Sequence, residues 1–268
     1  LFFIGSVMVI SLTIQSLFKD KLLSFICSLI PFLFDSLLYF STEIRAYSME
    51  CLCSSFSMLA VCILPKQKAL GKITLFSIML CLLMTSRYSA IIEVAIAMLV
   101  IALYWLRHYR ISAKERIFFL IVPFVTIACL IYFFSLSLQN PSIKTPHYID
   151  TSFKIDGLNI TFFLIPPCCL FLFSHFKNRI LVTLALYVTL LNFAFLILAI
   201  FNIHPADIRS KYCIGVFFVN IIFLILLLAK LLSSIKHHTK HNIALGIITL
   251  GILLQHRSLS MRKGQDFL

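Results

Sequence analysis

The chain has 268 residues, of which 61% are hydrophobic and only 12% are charged, and its mean hydropathy is +1.03. A soluble domain is about 45–50% apolar and about 25% charged, so this composition excludes an ordinary water-soluble fold and predicts a membrane protein. The net charge of +13 does not indicate nucleic-acid binding, because no such motif accompanies it and because Lys and Arg are expected at the ends of membrane spans.

Apolar runs recur along the whole chain. A membrane-spanning helix needs about 20 mostly apolar residues, and this rule predicts an all-α, polytopic integral membrane protein with about ten transmembrane helices. We expect one transmembrane domain over residues 1–254 and a polar tail over residues 255–268. The candidate spans are Leu1–Phe18, Leu22–Phe40, Ser48–Leu64, Ile73–Ser86, Ser89–Leu106, Ile117–Leu136, Leu158–Phe176, Ile180–Phe201, Cys213–Leu232 and Ile243–Leu254.

The segment Pro31–Tyr47, between the second and third predicted spans, is unusually polar. On a helix its Asp35, Tyr39 and Glu43 would share one face, because they follow one another at steps of four residues. Asp35 and Glu43 are therefore candidate catalytic carboxylates, and the same face could bind a cation. The alternative is interfacial anchoring, in which the tyrosines lie in the aromatic belt and Arg45 reaches the lipid headgroups.

Lys and Arg are divided unevenly between alternate predicted loops. One set of loops holds 13 of them and the other holds 6, and the positive-inside rule places the richer set in the cytoplasm. The extracytoplasmic set includes three arginines that each have a tyrosine close by. We predict that these pairs converge on one substrate-binding site, and they are Arg45 with Tyr47, Arg87 with Tyr88, and Arg209 with Tyr212.

Glu93 lies well inside the fifth predicted span. Six residues of helix would bury it in lipid by about 9 Å, at 1.5 Å per residue, unless it faces the interior of the bundle. We therefore expect an inward-facing carboxylate whose partners are Ser86, Ser89 or an arginine of another helix.

Cysteine and histidine do not indicate a metal site. Most of the nine cysteines lie inside apolar runs, where a free Cys behaves as a small hydrophobe. His237, His238 and His241 lie among lysines without a nearby acidic residue, and we interpret them as a solvated basic loop. No motif indicates a metal or another cofactor.

The polar segments resemble the GT-C glycosyltransferases, the family of the dolichyl-phosphate-mannose-protein mannosyltransferases. Pro31 followed by Glu43-Ile-Arg45-Ala-Tyr47 at the start of an apolar span is similar to a recurring pattern of that family. Arg87-Tyr88 resembles a later polar break that often reads His-Tyr, and Arg209 to Tyr212 is similar to a late Arg-Tyr element. The family's acidic catalytic residues lie in a loop ahead of these elements, so we expect this chain to lack an N-terminal part.

The resemblance implies a membrane glycosyltransferase at the extracytoplasmic face of a bacterial inner membrane. Such an enzyme moves a sugar from a polyprenyl-phosphate donor to a lipid, glycan or protein acceptor. Its arginines would offset the charge on the departing phosphate, and its tyrosines would orient them. Two alternatives stay open: a flippase-type or polymerase-type protein that binds or moves a lipid-linked glycan without catalysis, and an inactive remnant. Membrane lipids and a polyprenyl-phosphate-linked sugar are the expected partners, and nucleic acid is not.

Overall fold

A computed structural model describes residues 2–33, 47–66, 70–84, 88–108, 128, 179–200, 214–233, 235, 239 and 241–252. Every regular element among these residues is a helix, which confirms the predicted all-α class for this part of the chain. The elements are α1 (Phe2–Phe18), α2 (Lys21–Ser28), a 3-10 helix (Ile30–Leu33), α3 (Tyr47–Ile63), a second 3-10 helix (Leu64–Lys66), α4 (Leu70–Met84), α5 (Tyr88–His108), α6 (Arg179–Ile200), α7 (Ile214–Ser233) and α8 (His241–Ile252).

Most helix bounds agree with the predicted spans. α1 and α3 to α8 each begin and end within about three residues of a predicted span, because long apolar runs flanked by charge set the ends of membrane helices. The predicted spans Ile117–Leu136 and Leu158–Phe176 lie outside the described residues, apart from residue 128, and so does the predicted tail.

The second predicted span differs, because it does not begin as one continuous α-helix. Asp20 caps α2 by accepting a 3.0 Å hydrogen bond from the Leu23 amide. The α-helix ends at Ser28, and the following turns have 3-10 bonds from the Leu29 amide to the Ile26 carbonyl and from the Phe32 amide to the Leu29 carbonyl. Pro31 accounts for this change, because it has no amide proton and its ring clashes with the carbonyl four residues earlier.

Two described helices are long and apolar enough to cross a membrane by length and composition. They contain the segments Arg179–Ile197 and Gly215–Ser233, each of 19 residues, with mean hydropathies of 2.4 and 2.6. The other apolar helical segments searched within the described residues have 10–17 residues, which is shorter than the roughly 20 residues of a typical span. The number of ten spans therefore stays a prediction.

α3 is the central helix of the described bundle. It packs against α1, α4, α5, α6 and α7, with the closest association along α1. At that interface a methyl group on Gly5 of α1 would already be in contact with the Leu52 side chain of α3, so the small residue makes room for Leu52. Small residues are common where helices pack within membranes.

Two pairs of contacts show that α3 and α5 run in the same direction. Ser54 in the middle of α3 contacts Glu93 in the first third of α5, at 2.7 Å. About three turns further on, the Trp105 indole of α5 donates a 3.2 Å hydrogen bond to the Leu64 carbonyl at the end of α3. The contacts advance along both helices together, so the helices are parallel.

α1 and α7 are also parallel to each other. The Phe3 and Phe218 rings near their starts have centroids 6.1 Å apart. Beyond their ends, Asp20 Oδ2 lies 3.4 Å from His241 Nε2. Since Gly215 of α7 packs on the starts of α3 and α5, all four helices begin at one end of the bundle. They are the first, third, fifth and ninth predicted spans, so their common direction agrees with the predicted alternation.

Apolar side chains cover the outside of the described bundle as well as filling its core. Many large apolar side chains lie on the outside, including Ile4, Met8 and Leu12 along one face of α1, each more than half exposed. Serine, threonine, asparagine and two glutamates are buried between the helices. Several hydroxyls bond the carbonyl four residues earlier, as Thr13 does to Val9 at 2.8 Å, which satisfies them without a partner helix. This is the pattern expected of helices surrounded by lipid.

Candidate functional site

The sequence-predicted site residues lie mostly outside the described part of the chain. Tyr47 and Tyr88 are the first residues of α3 and α5, and only their backbone positions are described. The other predicted residues lie outside the described ranges, and they are Asp35, Glu43, Arg45, Arg87, Arg209 and Tyr212. Their roles therefore stay predictions, although the described helices show which bundle end they adjoin in sequence.

Two buried glutamates meet at the end of the bundle where α3, α5 and α7 begin. Glu50 of α3 and Glu93 of α5 are both completely buried, at 0% exposure. Both side chains press against Gly215 of α7: a methyl group added there would lie 2.9 Å from Glu50 Oε1 and would overlap Glu93 Oε1. Because both oxygens adjoin the same point, they are no more than about 5 Å apart. The expectation that Glu93 faces the bundle interior is confirmed.

Ser54 links the two carboxylates to the third helix. Its hydroxyl lies 2.7 Å from Glu93 Oε2, 3.0 Å from the Glu50 carbonyl oxygen and 3.4 Å from the Gly215 carbonyl oxygen. A hydroxyl has one proton to donate, and the bond to Glu93 is the shortest of the three. The described partner of Glu93 is therefore Ser54 on α3, whereas the side chains of the expected partners Ser86 and Ser89 lie outside the described set.

A second layer of polar groups lies about one turn deeper. Ser57 of α3 and Tyr187 of α6 are fully buried and lie within interaction range of each other. Within the described residues, neither hydroxyl has a hydrogen-bond partner of standard geometry. Glu93 is close enough to Tyr187 and to Cys53 of α3 to interact electrostatically with both. Four helices thus contribute to one buried polar cluster.

Two acidic side chains lie close together at this site, and both are buried. At an effective dielectric constant of about 20, two full negative charges about 5 Å apart repel by roughly 3 kcal/mol, and burial adds a desolvation penalty for each charge. Ser54 and the positive ends of the helix dipoles offset part of this cost. A buried carboxylate inside a helical membrane bundle is therefore a functional-site candidate, because such groups are costly unless they have a role.

The sequence predicted that Glu93 is buried but gave no role to Glu50. The sequence feature that indicates a role for Glu50 is its depth in its helix. Glu50 lies three residues after the first residue of α3, and Glu93 lies five residues after the first residue of α5. Since one span separates these helices, they run in parallel and residues at equal depth lie at the same level. Two glutamates at similar depth in alternate spans could have been predicted to meet.

A different ionisable pair lies at the opposite ends of α1 and α7. Asp20 and His241 approach to 3.4 Å, with side chains 13% and 9% exposed. The interpretation of His241 as part of a solvated basic loop is therefore wrong: it begins α8, it is buried, and it has an acidic neighbour. The sequence placed these residues more than 200 positions apart, so only the parallel packing of α1 and α7 brings them together. His237 and His238 lie outside the described residues.

The chain matches no protein-family model, no curated protein and no solved structure. The resemblance to GT-C glycosyltransferases therefore remains a prediction from the motifs. Within the described residues no group of three His, Cys, Asp or Glu side chains could hold a metal ion.

The geometry of the carboxylate pair defines what it can do chemically. Neither glutamate is exposed to solvent or lipid, so in this arrangement neither can take a proton from a substrate hydroxyl outside the bundle. General-base catalysis needs a heavy-atom approach of about 2.6–3.2 Å to the group that loses the proton. The pair can bind a proton or respond to movement of α7, whose backbone packs directly against both side chains.

Proposed function

We propose that the chain is a multi-pass membrane protein that binds a polyprenyl-phosphate-linked sugar at the bundle end where α3, α5 and α7 begin, and that it transfers the sugar as a GT-C-type glycosyltransferase. The observation that carries the proposal is the meeting of Glu50, Glu93 and Gly215, which brings three helix starts together. Arg45, Arg87 and Arg209 precede those helices by only two, one and five residues.

The chemistry of this bundle end suits a phosphate. The first amide groups of a helix lack partners within the helix, and the helix dipole is positive there, so anions are favoured at helix starts. Arginine adds a planar, permanently charged donor that binds phosphate through two parallel hydrogen bonds. A lipid phosphate held at the membrane surface would lie within reach of such groups, with its polyprenyl chain against the apolar exterior.

Each predicted residue has a role in this proposal. Arg45 and Arg209, with Arg87, stabilise the charge that grows on the phosphate as it leaves the anomeric carbon. Tyr47, Tyr88 and Tyr212 orient the arginines or hydrogen-bond the phosphate. An exposed carboxylate takes the proton of the acceptor hydroxyl as it attacks.

Asp35 and Glu43 are the candidates for that exposed carboxylate. The buried Glu50 and Glu93 are unsuitable, because no substrate atom can reach them in the described packing. The base is thus assigned to the segment between α2 and α3.

Substitution of the arginines tests the binding step. The full chain in phospholipid nanodiscs is titrated with radiolabelled polyprenyl-phosphate mannose, and R45A and R209A are expected to weaken binding by tenfold or more. The matched control is R107A, because Arg107 lies at the far end of α5 from Arg87 and is exposed. Undiminished binding by all three variants R45A, R87A and R209A would contradict the proposal.

A second candidate function is movement of a lipid-linked glycan across the membrane. The buried Glu50–Glu93 pair favours it, because intramembrane carboxylates recur in proton relays of pumps and transporters. Two measurements on the same vesicles separate the candidates: release of mannose onto an added acceptor indicates transfer, and arrival of intact lipid-linked mannose in the other leaflet indicates movement.

A further inference from the structure

We infer that Gly215 is a positioning residue for the phosphate site at this end of the bundle. Because it has no side chain, the start of α7 can close onto Glu50 of α3 and Glu93 of α5. This contact sets the distance between the three helix starts, and thereby the distance between the arginines that precede them. The inference rests on the proposed function, because it assigns a part in phosphate binding to a buried residue that acts through its neighbours.

Space, rather than backbone conformation, requires glycine at position 215. Gly215 is the second residue of α7, and none of the described glycines has a positive φ, so any amino acid could adopt its backbone conformation. A methyl group there would overlap Glu93 Oε1, and it would lie 2.9 Å from Glu50 Oε1 and 3.1 Å from Glu50 Cγ. Non-bonded carbon atoms pack at about 3.5–4.0 Å, so a larger residue cannot fit without movement.

The two glutamate side chains are held in place from the side of α3. Both are completely buried. Glu93 Oε2 lies 2.7 Å from the hydroxyl of Ser54, so this carboxyl group can swing aside only by losing that contact. Ser54 also lies 3.0 Å from the carbonyl oxygen of Glu50, one turn earlier. Room for a side chain at position 215 therefore requires both carboxyl groups to shift and α7 to move outward.

The start of α7 has two further contacts with its neighbours. The carbonyl oxygen of Gly215 lies 3.4 Å from the Ser54 hydroxyl of α3. Three residues further along, the Phe218 ring packs on Phe3 of α1, with their centroids 6.1 Å apart. Contacts to α1, α3 and α5 thus determine where α7 begins, and all of them lie within its first five residues.

Three other glycines have described surroundings, and none of them resembles Gly215. A methyl group on Gly5 or on Gly251 would meet one leucine side chain, and on Gly246 it would meet nothing within 4 Å. A single leucine can adopt another rotamer at modest cost. At Gly215 the neighbours are instead two acidic side chains from two different helices, so this glycine joins three helices rather than two.

The spacing of the helix starts affects phosphate binding because the three arginines adjoin them. Arg45, Arg87 and Arg209 precede α3, α5 and α7 by two, one and five residues. A guanidinium binds phosphate over a narrow range of distances, so an outward shift of α7 by about 1 Å separates Arg209 from a phosphate that the other two arginines hold. The positive ends of the helix dipoles separate in the same way.

Binding of radiolabelled polyprenyl-phosphate mannose to the full chain in phospholipid nanodiscs tests the inference. We expect G215A to weaken binding by about tenfold, the effect of losing one hydrogen bond to a charged group. G215A/E93D should recover most of this loss, because the aspartate side chain is one methylene shorter and makes room for the added methyl group. E93D alone is the reference for the double variant.

N192A separates positioning from a general loss of stability. Asn192 of α6 exchanges hydrogen bonds with Asn220 of α7, so this variant also weakens the packing of α7 but leaves the contacts of Gly215 in place. N192A should bind the ligand as the wild type does. Equal weakening of binding by G215A and N192A, or no recovery in G215A/E93D, would overturn the inference.

S54A keeps the test decisive if G215A does not fold. It removes the hydroxyl that contacts Glu93 and the Gly215 carbonyl oxygen, and we expect it to weaken binding by about threefold. S55A is the control and should bind normally, because Ser55 bonds within its own helix. If the wild type binds and the folded variants G215A and S54A bind equally well, the inference fails and the proposed function stands. No binding by the wild type would overturn both.

Discussion

Two of the buried polar pairs that cross between the described helices differ in the chemistry of their side chains. Asn192 of α6 and Asn220 of α7 exchange reciprocal amide hydrogen bonds of 2.8 and 3.0 Å, and Asn192 also bonds the Val188 carbonyl. Glu50 and Glu93 also meet across helices, but both are acidic, and the hydroxyl of Ser54 is one donor bonded to Glu93. The two asparagines donate to and accept from each other, whereas two ionised carboxylates cannot do so.

The asparagine pair holds two helices together, whereas the glutamate pair is a candidate functional site. Each amide has both donors and acceptors, so two asparagines can satisfy each other in lipid without outside help. Two carboxylates have only acceptors when ionised, so their stability depends on what they bind. The asparagine pair therefore stabilises the packing of α6 on α7. The glutamate pair makes the packing of α7 on α3 and α5 depend on the ionisation and the partners of the two carboxyl groups.

The largest expected effect on the free energy of unfolding is at Gly215, which contacts both glutamates. G215A should lower the free energy of unfolding by about 1–3 kcal/mol, because the added methyl group overlaps Glu93 Oε1 and crowds Glu50 Oε1, so both buried side chains must move. The single tryptophan, Trp105, is buried and its fluorescence reports unfolding in detergent. The control is G246A in α8, where nothing lies within 4 Å of the added group. Equal stability of the two variants would contradict the described packing.

The asparagine pair should show a similar loss with strong coupling. N192A leaves the amide of Asn220 buried without its partner, and we expect a loss of about 1–2 kcal/mol. N192A/N220A should cost less than the sum of the single variants, because the second change removes the group that the first left unsatisfied. Denaturant titration of the four proteins by Trp105 fluorescence measures the coupling. Additive losses would mean that the two amides do not interact.

A smaller effect is expected at the serines that flank the glutamates. S54A should lower the free energy of unfolding by about 1 kcal/mol, because Ser54 bonds Glu93 across helices. Ser55 is equally buried, but it bonds only the Cys51 carbonyl of its own helix at 2.9 Å. S55A is thus the matched control and should cost only a few tenths of a kcal/mol. Thermal unfolding of the two variants at one pH compares them, and a larger loss for S55A would reverse this assignment.

The smallest effect is expected at the opposite end of the bundle. D20N keeps a side chain that can cap α2 and removes only the charge that faces His241, so we expect a change of a few tenths of a kcal/mol. D20A removes the cap as well and should cost about 1 kcal/mol. The unfolding midpoints of the two variants separate the contribution of the cap from that of the charge facing His241. If D20N were as damaging as D20A, the interaction with His241 would outweigh the cap.

The helices themselves were largely predictable from the sequence. α1 and α3 to α8 lie close to the predicted spans because a run of apolar residues bounded by charge determines where a membrane helix begins and ends. The second span was less predictable, since Pro31 changes the helix type locally. The candidate site was predictable only in part: the burial of Glu93 followed from its depth in a span, but its neighbours did not.

The sequence by itself determined that the described part of the chain is helical, that the chain is apolar, that Glu93 must face the bundle interior, and that arginines precede several helices. These features are local, because each depends on composition and on distance along one helix. Only the tertiary structure decided that α3 is central, that Glu50 and Glu93 meet at Gly215, and that Asp20 lies beside His241. These features depend on which helices pack side by side and on the rotation of each helix about its axis. Apolar runs of similar composition predict neither of these from a single sequence.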